Sequence, residues 1–221
     1  MVIETIDVPL KKVNWIIILC ILVSVFFWYY GSDLTFGYVA FSGENLLEGR
    51  VWTLITALFL HGDLLHLLGN ILFLFVFGNT VENELGAAKT LLVFFIGGIL
   101  SFLLSTLFYD PETYLIGASA AIFTLTAVVM LLKPLKFSFL FLMPQGLVAV
   151  IYFIYNLFAA YFDFHGNVSY ISHVIGFVIG IPFGIAWSED WVKNLLLTIG
   201  LFLLYLLIML LLISGILGIL V

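Results

Sequence analysis

Long apolar runs recur along the chain at short intervals. Seven of them are long enough to cross a bilayer as helices, at about 16 to 27 residues each. They lie at residues 14–30, 61–80, 89–109, 117–132, 147–162, 170–187 and 194–220. The pattern therefore predicts an all-α polytopic membrane protein.

Two segments outside these runs are predicted to lie at the membrane interface. Residues 137–144 are too few to span a bilayer and are bounded by Lys136 and Pro144. Residues 31–60 are rich in aromatic and apolar side chains, and they form the only large segment outside the runs. Such a segment is expected to lie on or in the interface rather than in water.

The composition is that of a membrane protein, and no part of the sequence is predicted to form a soluble domain. Hydrophobic residues make up 64% of the 221 residues and charged residues only 9%, which is typical of an integral membrane protein. The first run follows Lys11 and Lys12 as a signal peptide would, but no small-residue cleavage site follows it. We therefore expect an uncleaved helix.

The basic residues predict the orientation of the chain. With seven spans, six lysines fall on one side and Arg50 alone falls on the other; the lysines are Lys11, Lys12, Lys89, Lys133, Lys136 and Lys193. The positive-inside rule makes the lysine side cytoplasmic, so the N-terminus is predicted to be inside the cell and the C-terminus outside. A net charge of −6 argues against nucleic-acid binding.

Metal and aspartyl chemistry find little support in the sequence. The single cysteine, Cys20, lies within the first run, so neither a disulfide framework nor a thiolate metal site is expected. The zinc-protease pattern H-E-x-x-H is absent. Tyr109-Asp110 resembles half of an intramembrane aspartyl protease site, but the G-x-G-D partner is missing. We expect no metal and no cofactor.

Three polar residues from distant runs are predicted to share one depth. Asn70, Ser119 and His173 each lie within roughly 10 Å of the outer end of a helix that enters from outside, at 1.5 Å per residue. Polar side chains inside a bilayer are costly, so they are candidates for function by default. A serine and a histidine on closely packed helices could form a base-activated nucleophile.

Helical spacing groups the neighbouring residues. His66 and Asn70 share a face of the second predicted span, whereas His61 lies about 140° from His66. His66 and Asn70 could therefore donate hydrogen bonds to a developing oxyanion, or could simply bond to neighbouring helices.

The small residues around the serine and the histidine predict a close helix contact. His173, Gly176 and Gly180 form one stripe, and small residues of this kind let two helices approach closely. The simplest interpretation of Ser119 by itself is a packing seam, and its coincidence with His173 favours a nucleophile. No carboxylate lies near His173 in the spans, so the imidazole is expected to be held by packing, with Phe123 as the ring stacked on it.

The motifs that carry these residues resemble those of the rhomboid intramembrane serine proteases. The resemblance covers residues 14 to about 187, in the order of the family. It rests on H-x4-H-x3-N at His61, His66 and Asn70, on G-A-S-x3-F from Gly117, and on H-x2-G-x3-G from His173. Two further segments agree, the tryptophan-containing VWTLIT at 51–56 and LKPLKFSFLFLMP at 132–144.

The resemblance implies a six-helix rhomboid-like catalytic core at residues 1–190 and an additional C-terminal transmembrane helix at 191–221. It implies Ser119 as nucleophile and His173 as general base and acid. It assigns the oxyanion hole to His66, Asn70 and the Ser119 amide, and a structural role to His61. The implied reaction is cleavage of single-span membrane proteins near the outer face of the cell membrane, with the lipid bilayer as the other partner.

Two positions depart from the family pattern. Ala120 follows the serine where the family has glycine, and Thr53 follows Trp52 where the family has arginine, with Arg50 nearby. The first affects helix packing beside the serine, and the second affects how the outer segment is held.

Two other function classes remain as alternatives. A non-catalytic protein of the same fold could bind membrane helices, but it would not need Ser119 and His173 together. A transporter would place its polar residues near the bilayer midplane, whereas these lie near one surface.

Overall fold

The structure is a computed structural model that describes residues 11–162, 164 and 168–219. Its helices are α1 (Lys12–Tyr30), α2 (Asp33–Val39), α3 (Gly43–Leu47), α4 (Thr53–Thr56), α5 (Leu64–Phe73), α6 (Asn79–Leu85), α7 (Ala87–Ser105), α8 (Ser119–Leu132), α9 (Gln145–Tyr161), α10 (Tyr170–Trp187) and α11 (Trp191–Ile219). A 3₁₀ turn at Ala57–Phe59 follows α4, and a π-helical turn at Leu74–Gly78 joins α5 to α6.

Within the described residues, five helical segments are long and apolar enough to cross a membrane. They are Lys12–Tyr30, Leu64–Leu85, Ala87–Ser105, Tyr170–Trp187 and Trp191–Gly215. Two further apolar helices, α8 and α9, have 14 and 17 residues. The polytopic helical architecture agrees with the sequence pattern, while the count of six core helices plus one stays a prediction.

Helix α8 is the centre of the bundle. Every residue from Ala120 to Leu131 is buried, with α7, α9 and α10 packed around it. Its 14 residues cover about 21 Å, which is less than the ~30 Å hydrocarbon core of a bilayer. If Lys133, which follows its last residue, lies at one interface, a helix of this length would end short of the opposite interface, at Ser119.

Glycines bring α8 and α10 into backbone contact, as the stripe predicts. A Cβ added to Gly176 would overlap the carbonyl oxygen of Ala120, and one added to Gly180 would overlap that of Thr124. The Thr124 hydroxyl donates a hydrogen bond to the Gly176 carbonyl over 2.9 Å. Since a side chain at either glycine would push the backbones apart, the two glycines set the distance between these helices.

Helix α5, at the start of the second span, begins at Leu64 and not at the predicted residue 61. Asp63 caps α5, because its side chain accepts a hydrogen bond of 2.8 Å from the backbone N–H of His66. His61 therefore precedes the helix, and the predicted 140° separation from His66 does not apply. The two imidazole rings meet edge to face with centroids 5.0 Å apart.

The segment at 137–144 forms a small hairpin instead of an irregular loop. Strands β1 (Phe137–Ser138) and β2 (Met143–Pro144) pair antiparallel, with Phe137 opposite Pro144. Phe141 turns inward and its ring lies 4.7 Å from that of Phe73. The fold is thus not purely α-helical. The pairing of β1 with β2 satisfies backbone polar groups of this short segment.

The segment at 31–60 folds into α2, α3, α4 and the 3₁₀ turn, and Arg50 links several of its parts. The guanidinium donates to the Asn45 side chain over 2.7 Å and lies 4.5 Å from the centre of the Tyr38 ring. Trp52 donates from its indole N–H to the Tyr38 carbonyl, and the buried Thr53 hydroxyl donates to the Arg50 carbonyl. Arginine thus holds this segment from a position three residues before Thr53.

Helix α11 packs against α8 and α9. The Asn194 side chain donates to the carbonyls of Leu131 and Leu132 over 2.8 and 3.2 Å, at the end of α8. Thr198, one turn further on, is fully buried.

Candidate active site

Ser119 is the first residue of α8. The preceding loop turns at Gly117, whose φ of +104° lies in a region that favours glycine. The Gly117 N–H donates to the Ala57 carbonyl, and the Leu115 N–H donates to the Phe41 carbonyl, so backbone bonds fix the loop before the turn and at it. Ser119 itself is only partly buried, which leaves its hydroxyl open to a reactant.

His173 on α10 meets Ser119 directly. Its Nε2 lies 2.7 Å from the Ser119 Oγ, within hydrogen-bonding distance. Phe123, one turn below Ser119, stacks on the imidazole with centroids 4.7 Å apart and an angle of 7° between the planes. The structure thus brings together the serine, the histidine and the aromatic ring that the sequence analysis singles out.

Asn156 on α9 is the hydrogen-bond partner of His173 on the side away from Ser119, and it is not among the residues predicted from the sequence. The His173 Nδ1 lies 2.7 Å from the Asn156 Oδ1, and the Asn156 side chain is 3% exposed. The expectation that packing alone holds the imidazole is therefore wrong. A sequence signal existed, since Asn156 is the only asparagine in the predicted span at 147–162.

His66 and Asn70 lie on the other side of the serine loop. The His66 imidazole packs against Gly117, where an added Cβ would lie 2.8 Å from the His66 Nε2. Asn70 is buried and donates one side-chain N–H to the His66 carbonyl over 2.8 Å. An amide nitrogen carries two hydrogens, so Asn70 retains a second donor for another acceptor.

His61 is held by contacts within the protein. Its Nδ1 is 3.0 Å from the Ser24 hydroxyl on α1, and its backbone carbonyl accepts a hydrogen bond from the Trp28 indole. His61 is 3% exposed, so it joins α1 to the start of α5 and does not face a reactant.

This arrangement has the components for nucleophilic catalysis. A hydroxyl bonded to an imidazole can be deprotonated as it attacks a carbonyl. The first N–H groups of α8 have no partner within the helix, so they can receive negative charge beside Ser119. Among the described residues, no group of three or more histidine, cysteine or acidic side chains could hold a metal ion.

Comparison with known proteins gives a consistent family match. The family model described as the Rhomboid domain matches residues 48–190, which include Ser119, His173, His66 and Asn70. Two curated relatives, the proteins named Rhomboid protease GlpG from Salmonella newport (strain SL254) and Salmonella typhimurium (strain LT2), are each 27% identical over 171 residues. The protein of that name from Salmonella paratyphi A is 26% identical over 171 residues.

These alignments cover 76% of this chain and 60% of each relative. The chain therefore spans less than two thirds of the length of the curated relatives it matches.

Proposed function

The chain belongs to the rhomboid family, and on that premise we propose that it is an intramembrane serine endopeptidase with Ser119 as nucleophile and His173 as general base. The observation that carries the proposal is the 2.7 Å hydrogen bond between the Ser119 Oγ and the His173 Nε2. A protein that only bound membrane helices would have no need for this bond.

The reaction follows from the positions of the two groups. The Ser119 Oγ attacks the carbonyl carbon of a peptide bond while the His173 Nε2 takes its proton. The resulting imidazolium gives this proton to the leaving amine, and an acyl-enzyme forms on Ser119. Water, deprotonated by His173, then hydrolyses the ester and restores both side chains.

The oxyanion of the tetrahedral intermediate is assigned to His66, Asn70 and the Ser119 N–H. His66 borders the serine loop at Gly117, and Asn70 has an N–H beyond the one that bonds within its own helix. Donors fixed before the reaction stabilise the charge as it develops, without the cost of reorganising solvent.

The proposed substrates are single-span membrane proteins. A peptide bond inside a membrane helix is shielded by its own backbone hydrogen bonds and has no water nearby. A recessed serine at the outer end of α8 suits a substrate helix that unwinds near its outer end and enters a cavity open to outside water. The lysine distribution supports this orientation, with the N-terminus cytoplasmic and the site on the outer side of the cell membrane.

A fluorophosphonate probe and a cleavage assay test the proposal. Purified wild-type protein should be labelled on Ser119 and should cleave a single-span substrate near its outer end. Ser119→Ala and His173→Ala should each abolish cleavage while keeping the fold, and the double variant should be no worse than either. Ser214→Ala, on the exposed face of α11, is the control that should retain labelling. Full activity in Ser119→Ala or His173→Ala would end the assignment.

A further inference from the structure

We propose that Asn156 is a positioning residue that fixes the tautomer and the orientation of His173, so that the site is a Ser–His–Asn triad. The inference rests on the proposed function and adds a third member to it. The observation is the 2.7 Å contact between the Asn156 Oδ1 and the His173 Nδ1, opposite the nitrogen that meets Ser119.

The Asn156 amide can present only its oxygen to the imidazole. Its Nδ2 donates to the Tyr152 carbonyl one turn earlier on α9, over 2.8 Å. A carbonyl accepts but does not donate, so the nitrogen of the amide must face Tyr152. The Oδ1 then faces His173, and the orientation of the amide is set by the backbone of α9.

This orientation determines which imidazole nitrogen carries the proton. The Asn156 Oδ1 can only accept, so the His173 Nδ1 must be the one that bears hydrogen. A neutral imidazole protonated on Nδ1 has a free lone pair on Nε2, which accepts the Ser119 hydroxyl proton. The same Nδ1–H bond persists when His173 becomes an imidazolium, so Asn156 serves both states without itself taking a proton.

Because His173 is buried, its Nδ1 needs a hydrogen-bond partner within the protein. His173 is 9% exposed and Asn156 3%, so water has little access to the Nδ1. A buried N–H without an acceptor carries the full cost of its desolvation, which would favour the wrong tautomer or a rotated ring. Phe123 fixes the plane of the imidazole by stacking, but stacking does not distinguish Nδ1 from Nε2. His66 is the neighbouring ionisable side chain that acts on His173 electrostatically.

The first test replaces the amide by an apolar group of similar size. Asn156→Leu should lower kcat by about 10-fold to 100-fold, the range expected when a buried N–H loses its acceptor, and should leave KM nearly unchanged, because the lost bond aims the base rather than binding the substrate. Asn79→Leu is the matched control. Asn79, the first residue of α6, makes the corresponding bond to the carbonyl four residues earlier, over 2.8 Å to Phe75 in the π-helical turn; its other side-chain hydrogen bond is with Asn14 and not with His173. The control should retain the wild-type kcat.

The second test changes the charge of the partner. Asn156→Asp presents a carboxylate to the Nδ1, which stabilises the imidazolium, so the acid limb of the kcat/KM profile should move to higher pH by about one unit. A side chain at residue 156 that did not contact the His173 Nδ1 would leave this limb in place. Wild-type kcat in Asn156→Leu, or an unmoved acid limb in an active Asn156→Asp, would overturn the inference.

Loss of all activity in both variants, in protein that no longer folds, would show that Asn156 acts as a structural residue and would likewise overturn it. These outcomes are separate from failure of the proposed function, which appears as activity in Ser119→Ala or as absence of cleavage by wild type.

Discussion

A single methyl group at Gly176 tests whether the contact between α8 and α10 aims the serine at the histidine. In Gly176→Ala, the new Cβ would overlap the Ala120 carbonyl oxygen and lie 3.0 Å from its carbon. Ordinary contact for a Cβ begins at 3.4 Å. The obstacle is backbone on both sides, so no side chain can rotate away and the helices themselves must separate, by about 1 Å.

The expected magnitude follows from the position of the reacting groups. Ser119 precedes Ala120 by one residue, and His173 precedes Gly176 by one helical turn. A displacement of about 1 Å would stretch the 2.7 Å bond between them beyond hydrogen-bonding range. Misplacement of this size can cost about 10²-fold in rate. Stability should change less, because overpacking costs about 1–3 kcal/mol while alanine gains about 1 kcal/mol in helix propensity over glycine.

The assay is cleavage of a single-span substrate together with thermal unfolding in detergent. Gly176→Ala should be folded and about 10²-fold slower. Gly200→Ala on α11 is the matched control, because its Cβ meets no atom within 4 Å, and it should cleave at the wild-type rate. Wild-type cleavage by Gly176→Ala would refute the reasoning, since it would mean that the site tolerates a shift of the two helices.

Three substitutions at two further positions test the rest of the site. Asn70→Ala should lower the cleavage rate by about 10-fold to 10³-fold and still permit probe labelling, as expected for one oxyanion donor among several; an unchanged rate would show that its second N–H points elsewhere. Ala120→Gly should retain activity, whereas Ala120→Leu should fold but be nearly inactive, because Ala120 is 1% exposed and has no room for three more heavy atoms. Near-normal cleavage by Ala120→Leu in the same assay would contradict the close packing of α8 and α10.

Much of the fold could be predicted from the sequence because the bilayer imposes strong requirements on it. The apolar runs at 89–109 and 170–187 correspond to α7 (Ala87–Ser105) and α10 (Tyr170–Trp187) within a few residues. Ser119 and His173 could be paired in advance because helix depth follows from counting residues. The start of α5 could not be predicted in this way. The capping bond of Asp63 depends on the local loop conformation, and hydropathy carries no information about that conformation.

Asn156 shows where sequence reasoning reaches its limit. Depth can be counted along one helix, but the rotation of α9 relative to α10 is set by how all the helices pack. An asparagine at residue 156 could therefore have faced lipid, another helix or the site. In the structure Asn156 faces the site, where it contacts His173, 17 positions further along the chain.

The bond from Asn194 to the end of α8 has a consequence for the order in which the protein is made. Leu131 and Leu132 are translated more than 60 residues before Asn194, whose side chain donates hydrogen bonds to their carbonyls. Until Asn194 is synthesised and inserted, the carbonyls at the C-terminal end of α8 lack this donor, and they have no partner within the helix. The hydrogen bonding of the C-terminal end of α8 is thus completed only after Asn194, near the start of α11, has been translated.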